Sequence, residues 1–308
     1  MRIIRGLPSV PPERRPSAVA LGVFDGVHLG HRAILGAAVA HARATGSPAL
    51  ACTFEPHPLE VLQPDRAPLP ITTLDERLAL IGACGVDGAV VLDFTRELAA
   101  VEPEAFVKDV LVDRLAAQQV IVGFNHRFGR GARGDADMLR DLGRGLGFSV
   151  DVIAPLMVDG APVSSTAIRA ALGRGDLDAA DRMLGRPYTL PGKIVAGAGR
   201  GRTLGFPTAN VAPDRAVLVA PGVYACRAEI GGQTRQAVVN VGVRPTFGED
   251  ALAVEAYLLD FTGDLYGERL VIELWQRLRD EQAFASEGEL VRQIARDVEQ
   301  TRAAVRPG

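Results

Sequence analysis

The sequence is poor in cysteine and has no long apolar segment. Its three cysteines, Cys52, Cys84 and Cys226, are scattered, and no CxxC pair occurs. This excludes a disulfide framework and a thiolate zinc site built from close pairs, and it fits a reducing compartment. No run of about 18 apolar residues is present, so neither a membrane span nor a membrane partner is expected. Because the first residues also contain no signal-peptide pattern, we expect a soluble, cytoplasmic protein.

The sequence also lacks an excess of basic residues. It has 34 Lys and Arg against 37 Asp and Glu, which gives a net charge of −3. A general nucleic-acid binder is normally basic, so nucleic acid is not an expected partner. The length of 308 residues suggests two domains, and a hydrophobic content of 47% is enough for sizeable cores.

Strand-like and helix-like segments alternate in the first half of the chain. Val19–Phe24 is predicted to be a buried strand, and Arg32–Ala44 a helix that ends near Gly46. Four further strands are predicted before Val163, with helices between them. A capping-box pattern from Thr73 to Glu76 marks the start of one of these helices. Because the strands are almost entirely apolar, this rhythm predicts an α/β domain, a parallel sheet with helices on both faces.

The pattern changes after two short predicted helices that follow Val163. The second helix has Asp176 as a candidate N-cap and Gly185 just after its last turn. Beyond it, short β-rich segments are separated by Gly, Pro and Asp, which is typical of a small antiparallel barrel or sandwich. We therefore place the boundary near Arg186–Pro187, which gives domains at residues 1–186 and 187–308.

Two local features of the second domain are specific enough to predict. Glu229–Gln233 contains a Gly-Gly pair between two β-rich segments and is predicted to be a hairpin turn. A final helix begins with a capping-box pattern, Ser286–Glu289, and carries an apolar stripe at Leu290, Ile294 and Val298.

The stretch "GVFDGVHLGH", from Gly22 to His31, follows the first predicted strand and leads into a helix. Ligands of open parallel sheets bind beyond the carboxyl ends of the strands, and a helix N-terminus attracts phosphate. Gly26 and Gly30 permit close approach of the backbone, and the rings of His28 and His31 can donate to phosphate oxygens. Zinc is an alternative, with further ligands such as His57 or Cys52. Two loop histidines without a special role are the other alternative.

A second segment, "VSSTAIRAAL", also resembles the entry of a helix after an apolar strand. It offers the hydroxyls of Ser164, Ser165 and Thr166, and Arg169 one turn later. This set can bind a triphosphate, with Arg169 stabilising charge that builds up on a leaving pyrophosphate. The alternative is a serine N-cap followed by an exposed arginine.

A third segment, "GAGRGRTLGFPTANV", joins a run of Gly and Arg to Pro-Thr-Ala-Asn. Its glycines permit close approach to phosphates. The hydroxyl of Thr208 and the amide oxygen of Asn210 are hard donors that suit Mg²⁺ bound together with phosphate. The alternative is a glycine-rich barrel turn followed by a Pro-Thr turn.

These segments resemble the signatures of known families. The first two resemble the HxGH and ISSTxxR signatures of nucleotidyltransferases, and "LGVFDGVHLGH", "TFEPHP", "VGFNHRFGRGARGD" and "VSSTAIR" stand in the order found in bacterial FAD synthetases. The third resembles the riboflavin-kinase signature, and "PGVYA", "NVGVRPTFG", "VEAYLLDFTGDLYGERL" and "LRDEQAF" follow it. The chain is thus similar to the bacterial bifunctional riboflavin kinase/FMN adenylyltransferase family. This implies a Rossmann-like nucleotidyltransferase domain followed by an antiparallel riboflavin-kinase β-barrel with a terminal helix.

The resemblance implies roles for particular residues. In the adenylyltransferase domain, the implied catalytic residues are His28, His31 and Arg169. Binding of ATP and its phosphates is implied for Gly22, Phe24, Asp25, Gly30, Asn125, Arg127, Ser164, Ser165 and Thr166. In the kinase domain, the implied catalytic base is Glu255, with Thr208 and Asn210 on Mg²⁺. Binding of ATP or flavin there is implied for Gly199, Arg202, Gly205, Pro207, Asn240 and Arg279.

One position departs from the family pattern. Many relatives carry an acidic residue and Phe where this chain has the segment Asn125–Gly129, and His126 is the variation. Asn125, Arg127 and Phe128 still fit the pattern. The role of His126 is left open.

The resemblance implies a bifunctional transferase that makes FMN from riboflavin and ATP, and then FAD from FMN and a second ATP. The expected partners are these small molecules, with Mg²⁺ as cofactor and FMN and FAD as intermediate and product. A monomer or weak oligomer is expected. Two alternatives are an FMN adenylyltransferase with a weak or inactive kinase module, and a flavin-binding regulator without turnover.

Overall fold

The computed structural model describes residues 1–7, 16–196, 201, 204–243, 252–263 and 265–304. The chain divides into two compact units, Met1–Ser165 and Thr166–Gly308. This division falls before the predicted boundary at residues 186 and 187, which stays a prediction. The helices between the two positions pack on the barrel of the second unit, where the Ala220 N–H donates to the Leu172 carbonyl.

The first unit is built on a six-stranded parallel sheet with the order β1-β4-β3-β2-β5-β6. The strands are β1 (Arg2–Arg5), β2 (Ser17–Leu21), β3 (Ala49–Glu55), β4 (Gly88–Asp93), β5 (Ala117–Gly123) and β6 (Ser149–Ile153). A small hairpin follows, with β7 (Met157–Val158) and β8 (Ala161–Pro162). The five predicted strands are confirmed. The edge strand β1 was not predicted, because its short, largely exposed segment has no apolar run.

Helices cover both faces of this sheet, as predicted. They are α1 (Leu29–Thr45), α2 (Pro58–Leu62), α3 (Leu74–Ala83), α4 (Arg96–Ala99), α5 (Pro103–Phe106), continued by a π-helical segment (Val107–Val112), and α6 (Ala136–Leu146), with short 3₁₀ turns at Pro64–Arg66 and Arg130–Ala132. Ala18 and Ala20 of β2 share a core with α1 and α3. Val19 and Leu21 share the opposite core with α5, its π-helical continuation and α6. The alternation of side chains along a strand separates these two cores.

Helices α7 (Ser165–Gly173) and α8 (Leu177–Leu184) precede the barrel. The Asp176 carboxylate accepts from the Ala179 N–H at 3.1 Å, and Gly185 ends α8 with a left-handed φ of 67°. Both predicted caps are therefore confirmed. The capping box at Thr73 and Glu76 of α3 is confirmed as well.

Six antiparallel strands close into a barrel with the order β10-β13-β12-β11-β14-β9. They are β9 (Thr189–Val195), β10 (Ala209–Pro213), β11 (Gly222–Ile230), β12 (Gln233–Val243), β13 (Leu252–Leu258) and β14 (Arg269–Arg279). Gly231 and Gly232 form the predicted hairpin turn, with φ values of 54° and 75°. A two-residue turn with positive φ at both positions requires residues without a Cβ penalty, which explains the Gly-Gly pair.

Helix α9 (Glu287–Ala303) packs against the barrel. Val298 packs against the buried cluster of Val223, Val238 and Leu259, in agreement with the predicted apolar stripe. Of the predicted capping box, only one half forms. The hydroxyl of Ser286 accepts from the Glu289 N–H, but the Glu289 carboxylate accepts from the Ala285 N–H, one residue before the N-cap. The prediction of a reciprocal box was therefore wrong at this helix.

Candidate functional site

The two histidines of the first motif lie together at the start of α1, beyond the carboxyl end of β2. His28 is the N-cap residue, and its Nδ1 accepts from the His31 N–H at 3.2 Å. The two rings stack with centroids 3.6 Å apart, and the Phe24 ring packs edge-on against His31 at 5.4 Å. The helix therefore begins at Leu29, three residues before its predicted start. The arrangement aims a helix N-terminus and two imidazoles at one place, which suits an anionic ligand.

The contacts of His28, His57 and Cys52 argue against a zinc site. Nδ1 of His28 is occupied by a backbone N–H, and Nδ1 of His57 accepts from the Leu59 N–H at 3.1 Å to cap α2. Cys52 is fully buried, and burial raises the pKa of its thiol to about 12. Within the described ranges, no group of three or more His, Cys, Asp and Glu could hold a metal ion.

His31 is held in the neutral form. Burial, and next the neighbouring charges of His28 and Arg77, lower the pKa of His31 well below its usual range. Its Nδ1 is buried and has no hydrogen-bond partner among the described residues. A neutral imidazole carries one N–H. With no acceptor at Nδ1, the proton is better placed on Nε2, where it can be donated to a ligand.

The backbone around the histidines is tightly packed and strained. Phe24 and Val27 have φ values of 55° and 38°, unusual for residues with a Cβ. A Cβ on Gly30 would lie 3.2 Å from Cε1 of His28, and one on Gly22 would lie 3.1 Å from the Phe24 ring. Glycine at these two positions lets the rings reach their places.

Asp25 lies in the same loop, and its carboxylate is buried within the protein. It accepts hydrogen bonds of 3.0–3.1 Å from the N–H groups of Ile71 and Thr72 and from the Thr72 hydroxyl. These bonds fix the loop to the segment before α3. The carbonyl of Asp25 accepts from the hydroxyl of Ser165 at 2.9 Å, which connects Ser165 to the loop of residues 22–28, the histidine loop.

The remaining residues of this predicted site lie at several places. Ser164 is half-buried. Thr166 is exposed and Arg169 half-buried on α7, in the part of that helix that belongs to the second unit. Asn125 and Arg127 are exposed after β5, and Arg127 pairs with Asp135 at 3.5 Å. The roles predicted for all five residues stay predictions.

His126 packs in the turn that departs from the family pattern. Its ring stacks on Phe128 with centroids 5.7 Å apart and planes 19° apart. Burial lowers the pKa of His126 to about 4, and its Nε2 is buried with no partner in the described part of the chain. His126 is therefore neutral at pH 7 and fills an apolar position.

Arg77 on α3 was not predicted as a site residue, and its side chain is only 5% exposed. Its Nη1 donates to the Val23 carbonyl at 3.0 Å, and its guanidinium forms an ion pair with Glu55. The available signal was its place in the apolar stripe formed by Leu78 and Ile81, where a charged residue requires a partner.

The second candidate site is a cavity of about 480 Å³ between one face of the barrel wall and α9. Strand register places Glu255 opposite both Asn210 and Asn240, and Val223 opposite both Asn240 and Arg279. Side chains directly opposite each other on neighbouring strands share one face. The three polar residues beside Glu255 in this row therefore come from strands that are distant in sequence.

Four predicted kinase-site residues line this cavity. It is lined by Gly201, Leu204, Phe206, Thr208, Val223, Val238, Asn240, Glu255, Tyr257, Arg279, Glu281, Gln282, Phe284, Glu287, Leu290, Ile294 and Asp297. Asn210 is buried beside them, while Gly205 and Pro207 lie in the loop before β10 and do not line the cavity. Gly199 and Arg202 lie outside the described residues. The Thr208 hydroxyl and the Asn210 amide oxygen are hard donors that fit Mg²⁺, and strand register places Glu255 opposite Asn210.

Arg279 is anchored at the cavity wall by Asp297, which was not predicted as a site residue. Its Nε donates to both carboxylate oxygens at 3.1 Å, and its Nη2 donates at 2.8 Å. Asp297 is only 1% exposed and also accepts from the Gln293 amide at 2.9 Å. The signal in the sequence was an acidic residue between Ile294 and Val298 on the inward face of α9.

Two family models match the chain. The model described as FAD synthetase matches residues 10–167, and the one described as riboflavin kinase matches residues 184–305. The bifunctional riboflavin kinase/FMN adenylyltransferase of Pseudomonas fluorescens is 41% identical over 308 residues, covering 100% of this chain and 99% of the relative. The protein of the same name from Escherichia coli K12 is 39% identical over 299 residues, with 96% of each chain covered.

A solved structure has nearly the same fold throughout. It is named a macrolide-efflux protein from Streptococcus pneumoniae, has a TM-score of 0.89 and 31% identity, and covers 98% of this chain and 99% of its own. In the described part of the present chain, no helix is long and apolar enough to cross a membrane. Both family models and both full-length relatives agree. The chain belongs to the bifunctional riboflavin kinase/FMN adenylyltransferase family.

Proposed function

We propose that the chain makes FAD from riboflavin in two steps, each at its own site. The barrel transfers the γ-phosphoryl group of ATP to the 5′-hydroxyl of riboflavin and releases FMN and ADP. The histidine site then joins FMN to the AMP portion of a second ATP and releases pyrophosphate. The observation that best supports the kinase step is the row of Glu255, Asn210 and Asn240 beside a cavity of about 480 Å³.

In the kinase step, Glu255 is the candidate general base. Its carboxylate accepts the proton of the riboflavin hydroxyl as the hydroxyl oxygen attacks the γ-phosphorus and the bond to ADP breaks. Asn240 and Arg279 line the same cavity and orient the substrates. Thr208 and Asn210 would hold Mg²⁺, which neutralises phosphate charge when bound.

In the adenylylation step, no strong base is required. The FMN phosphate is already anionic at neutral pH, so its oxygen attacks the α-phosphorus directly while pyrophosphate leaves. The site has to align the reactants and stabilise charge. His31 donates the N–H of its neutral ring, and His28 and the N-terminal N–H groups of α1 act beside it. Ser164, Ser165, Thr166 and Arg169 are the proposed partners of the remaining phosphate oxygens.

Separate assays of the two half-reactions test this division. Glu255→Ala should lower FMN formation by roughly 100- to 10,000-fold, the usual contribution of a general base, and leave adenylylation of supplied FMN intact. His31→Ala should lower adenylylation by roughly 100- to 1,000-fold and leave FMN formation intact.

Matched controls use neighbouring residues that lie outside both sites. Glu268→Ala removes an exposed carboxylate of the barrel unit, and His41→Ala removes a histidine farther along α1. Both variants should keep both activities. Equal loss of the two activities in His31→Ala would contradict separate sites. A wild-type chain that adenylylates FMN without phosphorylating riboflavin would establish the alternative of an inactive kinase module.

The cytoplasm is the proposed compartment. Cys52, Cys84 and Cys226 are all free thiols, and free thiols persist in a reducing environment.

A further inference from the structure

Arg77 connects three segments of the first unit. It lies on α3, and its Nη1 donates to the carbonyl of Val23, at the start of the histidine loop. The same carbonyl accepts from the Thr53 hydroxyl of β3 at 2.9 Å. The guanidinium also pairs with Glu55 at the end of β3. A guanidinium holds two acceptors in a rigid planar fork, whereas an ammonium group donates through three rotatable N–H groups.

The Arg77 side chain is buried but only partly paired. Its side chain is 5% exposed, whereas Glu55 is 41% exposed. Nε of Arg77 is buried and has no hydrogen-bond partner among the described residues. Burying a guanidinium with one donor unsatisfied and a partly solvated partner contributes little to stability. The hydrogen bond of Arg77 to the Val23 carbonyl instead restrains the loop that precedes α1.

We propose that Arg77 is a positioning residue for adenylyl transfer. Through the Val23 carbonyl and Glu55 it fixes the loop that ends at His28 and leads into the first turn of α1, where His31 lies. This inference rests on the proposed function of the histidine site. The loop contains two residues in strained left-handed conformations, Phe24 and Val27, so it needs external restraints to keep its shape. Asp25 supplies one restraint through Ile71 and Thr72, and Arg77 supplies another through the Val23 carbonyl.

The charge of Arg77 also acts on His31. After burial and His28, Arg77 is the third cause that lowers the pKa of His31. The charged groups that act on this ring are His28 on the loop and Arg77 on α3. Loss of the guanidinium would raise the His31 pKa, while burial, the largest cause, would still hold it below its usual range.

Two substitutions distinguish the hydrogen-bonding geometry of the Arg77 guanidinium from the effect of its positive charge. Arg77→Met keeps the length of the side chain and removes both donors and charge, while Arg77→Lys keeps the charge with a single ammonium group. Arg144→Met is the matched control, because Arg144 is 77% exposed and pairs with Asp141 on the surface of α6. Each full-length variant is assayed for adenylylation of supplied FMN and for phosphorylation of riboflavin. The titration of His31 is followed by NMR of labelled histidine, with His31→Gln to assign its signal.

The proposal predicts that Arg77→Met slows adenylylation by roughly 10- to 100-fold, the usual effect of misplacing catalytic groups by about 1 Å. Riboflavin phosphorylation should be unchanged, and the His31 titration should move to higher pH. Arg77→Lys should keep the low titration midpoint of His31 and recover part of the activity. Arg144→Met should match the wild type in every measurement.

Adenylylation at the wild-type rate in Arg77→Met would overturn the proposal. So would an unchanged His31 titration together with equal losses in Arg77→Lys and Arg77→Met, because that result indicates a structural role alone. If Arg77→Met does not fold, Arg77→Lys decides by the same two measurements. If the wild type makes no FAD, the proposed function fails, while the His31 titrations still test whether Arg77 acts on the histidine loop.

Discussion

Replacing Asp297 with asparagine removes the carboxylate that anchors Arg279 at the wall of the barrel cavity. The pair is joined by hydrogen bonds of 3.1, 3.1 and 2.8 Å, with Asp297 1% exposed and the Arg279 side chain 19% exposed. Removing one partner of a buried ion pair costs about 3–5 kcal/mol, because the other charge is left uncompensated. Water reaches part of Arg279, so we expect a loss near the lower limit, about 3 kcal/mol. For a unit of this size that corresponds to a fall in Tm of about 6–12 °C.

Thermal unfolding followed by the fluorescence of Trp275 measures this loss. Trp275 is the single tryptophan of the sequence and lies on β14, so its signal reports the barrel unit. Asp280→Asn is the control, because Asp280 is 80% exposed and its pair with Arg277 is worth at most about 1 kcal/mol. Riboflavin phosphorylation should fall in Asp297→Asn while adenylylation of FMN persists. Equal Tm values for Asp297→Asn and Asp280→Asn would refute the reasoning.

Two further predictions concern pH. Because the pKa of His126 is about 4 when folded and 6.5 when unfolded, wild type should lose about 3 kcal/mol of stability as pH falls from 6.5 to 4. His126→Phe should not show this loss of stability. Urea unfolding of the first unit at pH 7 and pH 4.5 measures it for both proteins. Equal losses in wild type and His126→Phe would contradict a buried, neutral His126. Burial raises the pKa of Asp181 from 3.8 to about 7, so its ionisation should cost wild type up to about 4 kcal/mol as pH rises through this range. The Tm of Asp181→Asn minus that of wild type, measured by Trp275 fluorescence, should therefore be larger at pH 8 than at pH 5. The same Tm difference at both pH values would argue against a buried charge.

Most of the fold could be predicted because its signals are local. The buried strands of the first unit are continuous apolar runs, and helix ends are marked by Thr73, Asp176 and Gly185 within a few residues of the turns they cap. Edge strand β1 was not predicted. It pairs only with β4, so Ile3 stays half-exposed and the strand needs no apolar run. The half-formed box at Ser286 shows that a capping pattern fixes the N-cap bond but not the path of the reciprocal side chain.

The candidate sites were only partly accessible to prediction, for a different reason. His28 and His31 are three residues apart, so the sequence placed both at one helix N-terminus, but their spacing alone left phosphate, zinc and no special role open. Arg77 and Asp297 act through partners 54 and 18 residues away, Val23 and Arg279, and only the folded chain brings these groups together. Their common signal is weak but physical, since each is a charged residue on the apolar face of its helix.

The most direct test of the account is the time course of flavins when the purified chain is incubated with riboflavin, ATP and Mg²⁺. Two sites acting in sequence predict that FMN appears first, passes through a maximum and declines as FAD accumulates. FMN that accumulates without FAD, or riboflavin that stays unconverted while supplied FMN becomes FAD, would contradict the claim that one chain carries both activities.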